Sequence, residues 1–183
     1  MTVELVNLFA TLATLIVVAA TAVAALIQMR HMGRGNQLAA FNELVGRLNG
    51  PELASAQRFV MNELKQKMSD PVFREQLMVP DKRTAQTAVW AAQVVLTGNY
   101  YEEMGLLVKS ALVDRELICD GQGSSVLAAW DAMLEVIATW RVSDPRALEN
   151  FEYLAVVVQD WNARNPNGTY PRGVRRLTIP PPG

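Results

Sequence analysis

From Leu8 to Ile27 the chain reads LFATLATLIVVAATAVAALI, apolar on every face and without a charge. As a helix this run is about 30 Å long, the thickness of a bilayer's hydrocarbon core, so the pattern predicts a transmembrane helix. A cleaved secretory signal fits less well, because such signals carry Lys or Arg ahead of a short apolar region, whereas Met1 to Asn7 holds only the acid Glu4. A buried core helix rarely stays apolar all round over this length, and a surface helix needs a charged face.

Beyond the span the apolar residues recur at three and four, the helical period. Residues 30–35 form a short joint with Gly33 and Gly35, where the helix is expected to bend. Leu38, Phe41, Leu44, Val45 and Leu48 predict an amphipathic helix over 36–48, placed on the membrane, extending the span, or packed on the domain. Asn49-Gly50-Pro51 ends it and starts the next, with Leu53, Ala56, Val60, Met61, Leu64 and Met68 inward and Arg58, Asn62 and Lys65 outward. Asp70-Pro71 gives an acid cap and a proline start for a short helix to about Met78. From Arg83 a long run puts Ala85, Ala88, Val89, Ala92, Val95 and Leu96 on one stripe, continuing through Asn99 and Glu103 to Leu106 and Leu107; either Gly98 or Gly105 is expected to bend or end it.

A further short helix is expected over 111–120, capped by Asp114 and broken by Gly121-Gln122-Gly123-Ser124-Ser125. Either serine then caps a helix with Leu127, Trp130, Leu134 and Ile137 inward and Trp140 near its end. Asp144-Pro145 is read as the start of the last helix, which buries Leu148, Phe151, Leu154, Ala155, Val158 and Trp161. No alternating strand pattern of useful length and no repeat appears. The fold class is all-α: one N-terminal transmembrane helix followed by a compact helical-bundle domain. The organisation reads as a short outside tail and transmembrane helix over 1–29, a joint over 30–35, a cytoplasmic helical domain over 36–165 and an irregular tail over 166–183, ending in Pro180-Pro181-Pro182.

Charge adds orientation. Arg30 and Arg34 follow the span and no base precedes it, so the positive-inside tendency predicts a single-pass protein of the inner (cytoplasmic) membrane, with its N-terminus outside. The lone Cys119 forms no internal disulfide, which suits a reducing compartment. The sequon Asn167-Gly168-Thr169 then lies away from glycosylation machinery and reads as a turn. The chain has 17 basic and 18 acidic residues, a balance that exerts no long-range pull on nucleic acid, so none is expected as a partner.

Candidate chemistry is sparse. One histidine, His31, and one cysteine leave zinc, haem and Ser-His or Cys-His catalysis without residues; no catalytic, metal or cofactor-binding residue is assigned and no cofactor is expected. The loop at Gly121 lacks the third glycine of a dinucleotide loop and the lysine of a P-loop. Asn99, Glu102, Glu103, Asp114, Arg115 and Glu116 form the one polar cluster; such acids either work in acid-base chemistry or are held structurally by arginine. Arg172, Arg175 and Arg176 fall below the usual lipid-binding cluster and read as a solvated or docked tail. In the span, Ala10, Thr14, Thr21 and Ala24 make a small-residue stripe where a second helix can approach.

At Arg34-Gly35-Asn36-Gln37-Leu38-Ala39-Ala40-Phe41, Tyr101-Glu102-Glu103-Met104-Gly105-Leu106-Leu107 and Val113-Asp114-Arg115-Glu116-Leu117 the chain resembles an uncharacterised bacterial family of membrane-anchored helical domains. Asn150-Phe151-Glu152-Tyr153-Leu154-Ala155 and Asn167-Gly168-Thr169-Tyr170-Pro171-Arg172-Gly173 look similar as well. The resemblance implies an architecture and a bacterial setting, not a reaction.

Three functional expectations follow. The first is a membrane-anchored, non-catalytic module that binds a protein or regulates one, with the lipid bilayer engaged through residues 8–27. The second is a small-ligand receptor or enzyme using the acids around Glu103. The third is a structural homo-oligomer joined through the transmembrane helix.

Overall fold

The computed structural model describes residues 3–177; the proline run Pro180-Pro181-Pro182 lies outside them. Every regular element among the described residues is helical. The chain divides into two compact units, Met1–Glu43 and Leu44–Gly183.

The described residues of the first unit lie within helix α1, Val3–Leu48. Its stretch Asn7–Met29 has a mean hydropathy of 2.4 and no buried residue, so it is long and apolar enough to cross a membrane. The helix runs unbroken through residues 30–35. Gly33 and Gly35 therefore do not bend the chain out of helix, and 36–48 continues the span's helix instead of starting a new one. Each glycine costs about 1 kcal/mol in a helix, and cooperative turns on both sides absorb it. The units divide at Glu43 and Leu44, not at residue 35.

In the second unit, α2 (Pro51–Phe59) carries Pro51 in its first turn and continues through a π-helical segment, Val60–Leu64, into the single turn α3 (Lys65–Lys67). The buried residues Ala56, Val60, Leu64 and Met68 recur at four. Such a repeat drifts around an ordinary 3.6-residue helix, and the wider π turn takes up the drift. Phe59 joins this face, and Met61, expected inside, is half-buried. Arg58, Asn62 and Lys65 are exposed as expected. Helix α4 (Pro71–Met78) is capped by Asp70, whose carboxylate accepts from Val72 N at 2.9 Å.

Helix α5 (Ala85–Lys109) opens with a reciprocal Thr84–Thr87 capping box and runs through both Gly98 and Gly105. Here the expected stripe is corrected. The side facing the core is Thr87, Ala91, Val94, Thr97, Gly98, Tyr101, Met104, Gly105 and Val108, on the opposite face from Ala85, Ala88, Val89, Ala92 and Val95, which are exposed. The two glycines are inside because α7 needs the room. A Cβ on Gly105 would sit 2.0 Å from the Asn150 carbonyl oxygen, and one on Gly98 would sit 3.1 Å from Leu148 Cδ1.

Helix α6 (Arg115–Ser143) is capped by Asp114, which accepts from Glu116 N at 2.8 Å. Gly121 to Ser125 do not break it, and neither serine caps a new helix. Gly123 is buried, and a Cβ there would lie 3.1 Å from Val158 Cγ1, so this glycine marks a close helix contact rather than a stop. The inward face is Val126, Ala129, Ala132, Met133, Val136 and Ile137; Leu134 is exposed, and Leu127, Trp130 and Trp140 are half-buried. Asp144-Pro145 forms a turn in which Asp144 Oδ1 accepts from Arg146 N, and α7 (Glu149–Arg164) starts after Leu148, whose φ is 53°. Leu148, Phe151, Leu154, Ala155 and Val158 are buried as expected, and Trp161 is half-buried.

The core lies among α5, α6, α7 and α2. Tyr100 meets Tyr101 edge-on, Tyr101 stacks on Phe151 with ring centres 4.9 Å apart, and Trp130 meets Phe151 edge-on at 5.1 Å. After Arg164 the described chain is irregular to Leu177, and a turn over 165–168 takes in Asn167 and Gly168 of the sequon, with Gly168 at φ 74° donating to Asn165 O.

Candidate functional site

The six polar residues singled out in the sequence are distributed over three structural positions. Glu102, on α5, turns to the start of α7 and accepts hydrogen bonds from Asn150 Nδ2 and Phe151 N, both at 2.8 Å. Leu148, at the cap position of α7, offers no side-chain oxygen, so a carboxylate from another helix satisfies an amide left open at that terminus. Glu103, one residue on, pairs with Arg47 at 2.6 Å. Asp114 caps α6, where Arg115 and Glu116 are exposed beside it. Asn99 is exposed on α5. Glu102 and Asn99 line a shallow groove of about 480 Å3 with Trp140 and Arg146. No hydrogen bond or ion pair joins Glu102 or Glu103 to Asp114, Arg115 or Glu116.

The stripe Ala10, Thr14, Thr21 and Ala24 is exposed along its length. Thr14 and Thr21 donate their hydroxyls to the carbonyls of Ala10 and Val17 at 2.8 Å, so within the helix these hydroxyls are already satisfied. In the tail, Arg176 donates to Asn167 O and lies 4.8 Å from the Tyr170 ring centre, while Thr169 donates to Asp120.

Burial shifts the titratable groups of the core. Tyr100, whose hydroxyl donates to Leu44 O at 3.2 Å, is pushed up to about 12, chiefly by loss of solvation. Burial and the neighbouring Tyr100 push Tyr101 higher still. The Cys119 thiol is raised by burial, against the opposing pull of Arg115 and Arg164, which makes it a poor nucleophile. No group of three or more His, Cys, Asp and Glu side chains able to hold a metal occurs among the described residues.

Two surface features were not read from the sequence. An open groove of about 550 Å3 between α3, α4 and α5 has Trp90 and Phe73 in its wall and Lys67 Nζ lying 4.4 Å from the Trp90 ring centre; the residues sit on three elements, so no local motif announces them. The second is the outer face of α5. Val89, Val95 and Leu106 are 53, 43 and 49 % exposed, and no charged residue occurs from Thr84 to Tyr101.

A family described as a domain of unknown function (DUF4760) matches residues 15–161. No curated protein and no solved structure matches the chain.

Proposed function

The chain belongs to this family of domains of unknown function, and since that premise supplies no reaction, we propose from its own surface that it is a membrane-anchored module that docks another protein chain through the outer face of α5. The observation that carries the reading is the second apolar face of α5. A helix apolar on two opposite sides belongs between neighbours on both; α5 packs against α7, α2 and α4, and with Glu52 and Ser55 of α2 at its border the outer face still leaves Val89, Val95 and Leu106 exposed. Charge is depleted at the cores of protein interfaces, and the run from Thr84 to Tyr101 has none. In this reading Asn7–Met29 anchors the domain in the bilayer, and Arg30 and Arg34 keep it on the cytoplasmic side.

A photoreactive residue at Val89, in the full-length protein in native membranes, should give protein adducts that are absent from the same residue at Val156, which is on α7 and 48 % exposed. Ala92→Arg should remove the adducts without lowering the melting temperature, since Ala92 is exposed. Equal adducts at Val156, or none at Val89, would overturn the docking role. For the orientation, Leu177→Cys should react with a membrane-impermeant thiol reagent only after the cells are opened; labelling of intact cells reverses it.

A further inference from the structure

We infer that the groove between α3, α4 and α5 binds a small quaternary ammonium compound, and that the chain's own Lys67 occupies the place of its cation; this does not depend on the docking face. The groove is built on a fixed ring. Trp90 is clamped by Phe59, which stacks on it at 5.7 Å with the planes 6° apart, and by Phe73, tilted against it at 5.5 Å. Both phenylalanines are buried, so the indole is in position before a ligand arrives and binding need not immobilise it.

What the rings attract is visible in the fold. The Lys67 ammonium lies 4.4 Å from the Trp90 ring centre and 6.0 Å from that of Phe73, the range over which a ring's quadrupole draws a cation. Glu63, one turn back, adds a carboxylate at 3.9 Å. It belongs to the π-helical segment Val60–Leu64, a kind of irregularity frequent at functional sites. Of the charged residues lining the groove, Glu63 and Asp70 are acids and Lys67 is the base. When Lys67 swings away, the site is left negative beside two rings and calls for another cation.

The kind of cation follows from what the site does not offer. A primary ammonium carries three N–H donors, and Glu63 at 3.9 Å is too distant to accept a hydrogen bond from one. Lys67 therefore leaves its donors to water. A quaternary ammonium has no donors to satisfy and turns methyl groups to the rings, the functional use of aromatic-walled cation sites. Lys67 is half-buried on a flexible four-carbon stem, and the open groove of about 550 Å3 gives a ligand room beside it. Gln76 and Gln86 line the same groove, and their amides suit a hydroxyl or carboxylate at the ligand's other end. Choline has this form, a trimethylammonium with one polar group. Lys67 is then a built-in competitor, which the ligand displaces.

The test is choline binding to the full-length protein in a nonionic detergent, read by saturation transfer from the protein to the ligand's methyl protons. Choline should receive saturation, and its uncharged carbon isostere, dimethylbutanol, should not, because the rings select charge. Lys67→Ala, which removes the competing ammonium, should tighten choline severalfold. Glu63→Gln, at an exposed position, should weaken it severalfold with the melting temperature unchanged. Trp90→Leu should abolish binding; since Trp90 packs on two buried rings, its melting temperature is read alongside, and the other two variants decide if it unfolds. Equal saturation of the isostere, no binding of choline to the wild type, or a Lys67→Ala protein that binds it no better than the wild type would overturn the site.

Discussion

Replacing Gly105 by alanine is expected to unseat α7 from α5. A Cβ at this position lies 2.0 Å from the carbonyl oxygen of Asn150 and 2.6 Å from its carbonyl carbon. Carbon contacts are comfortable only at about 3.5 Å, so the first turn of α7 must retreat by more than roughly 1 Å, and the obstacle is backbone, which cannot rotate aside. That turn is held by the two hydrogen bonds that Glu102 accepts from Asn150 Nδ2 and Phe151 N, and by Lys109 Nζ donating to Asn150 Oδ1 at 3.2 Å. Alanine gains about 1 kcal/mol of helix propensity. Against it stand overpacking of about 1–3 kcal/mol and the loosening of hydrogen bonds to a charged acceptor, about 1.5–3 kcal/mol if one is lost. The net expectation is a loss of about 3 kcal/mol, or about 10 °C in melting temperature for a domain of this size. Thermal unfolding of the full-length protein in detergent, read by tryptophan fluorescence, reports it, since Trp130 packs edge-on against Phe151. Gly98→Ala and Gly123→Ala are the controls. Their added Cβ atoms meet side-chain methyls of Leu148, Met133 and Val158 at 3.1 Å, which can yield, so both should stay within about 1 kcal/mol of wild type. A Gly105→Ala protein that melts with these two would refute the close approach of α5 to α7.

Glu102→Gln keeps an acceptor near Phe151 N but removes the charge that favours a helix N-terminus, and should cost about 1 kcal/mol; unchanged denaturation midpoints would show that the carboxylate does not cap α7. Thr97 is fully buried and its hydroxyl has no hydrogen-bond partner, so Thr97→Val should raise stability by about 1 kcal/mol, and a fall in melting temperature would refute it. The Tyr100 hydroxyl is pushed up to about 12 by burial from its ordinary value of 10.0. Its folded value exceeds its unfolded one, so its contribution, about 2 kcal/mol, is complete below pH 10 and is lost as pH rises from 10 through about 12. Tyr100→Phe should flatten this alkaline limb in part, since Tyr101 is raised as well, and an unaltered limb would exclude Tyr100 as its source.

Single-helix signals in this sequence translate directly into structure where one face alone is apolar. The last helix buries Leu148, Phe151, Leu154, Ala155 and Val158, and Asp70 and Asp114 begin helices, because periodicity and caps act within one or two turns. Two kinds of information are not local. The glycines at 121 and 123 look like a break by propensity, yet Gly123 is held inside α6 by the proximity of Val158. The cap of α7 is likewise out of reach of local reasoning, since the acceptor for Phe151 N comes from Glu102, far back along the chain. The polar cluster around Glu103 failed to assemble for the same reason: sequence adjacency of Glu102 and Glu103 places them on different sides of α5, one toward α7 and the other toward Arg47.

Helix α5 gives the sharper case. Periodicity finds its apolar stripes but is blind to which of two is buried, and the stripe richer in aliphatic residues, with Val89, Val95 and Leu96, is the outer one. The inner face is recognisable by a different mark. Gly98 and Gly105 stand seven residues apart, hence on one side, and glycine lowers helix stability unless a neighbouring backbone comes close, as Asn150 does. Tyr101 and Met104, on the same side, supply the bulk that fills the space around them. In the docking proposed above, a helix that carries close-approach glycines on one face and exposed aliphatic side chains on the other uses both for contact. The first face explains how the domain folds, and the second, which folding leaves in water, is where its function is to be sought.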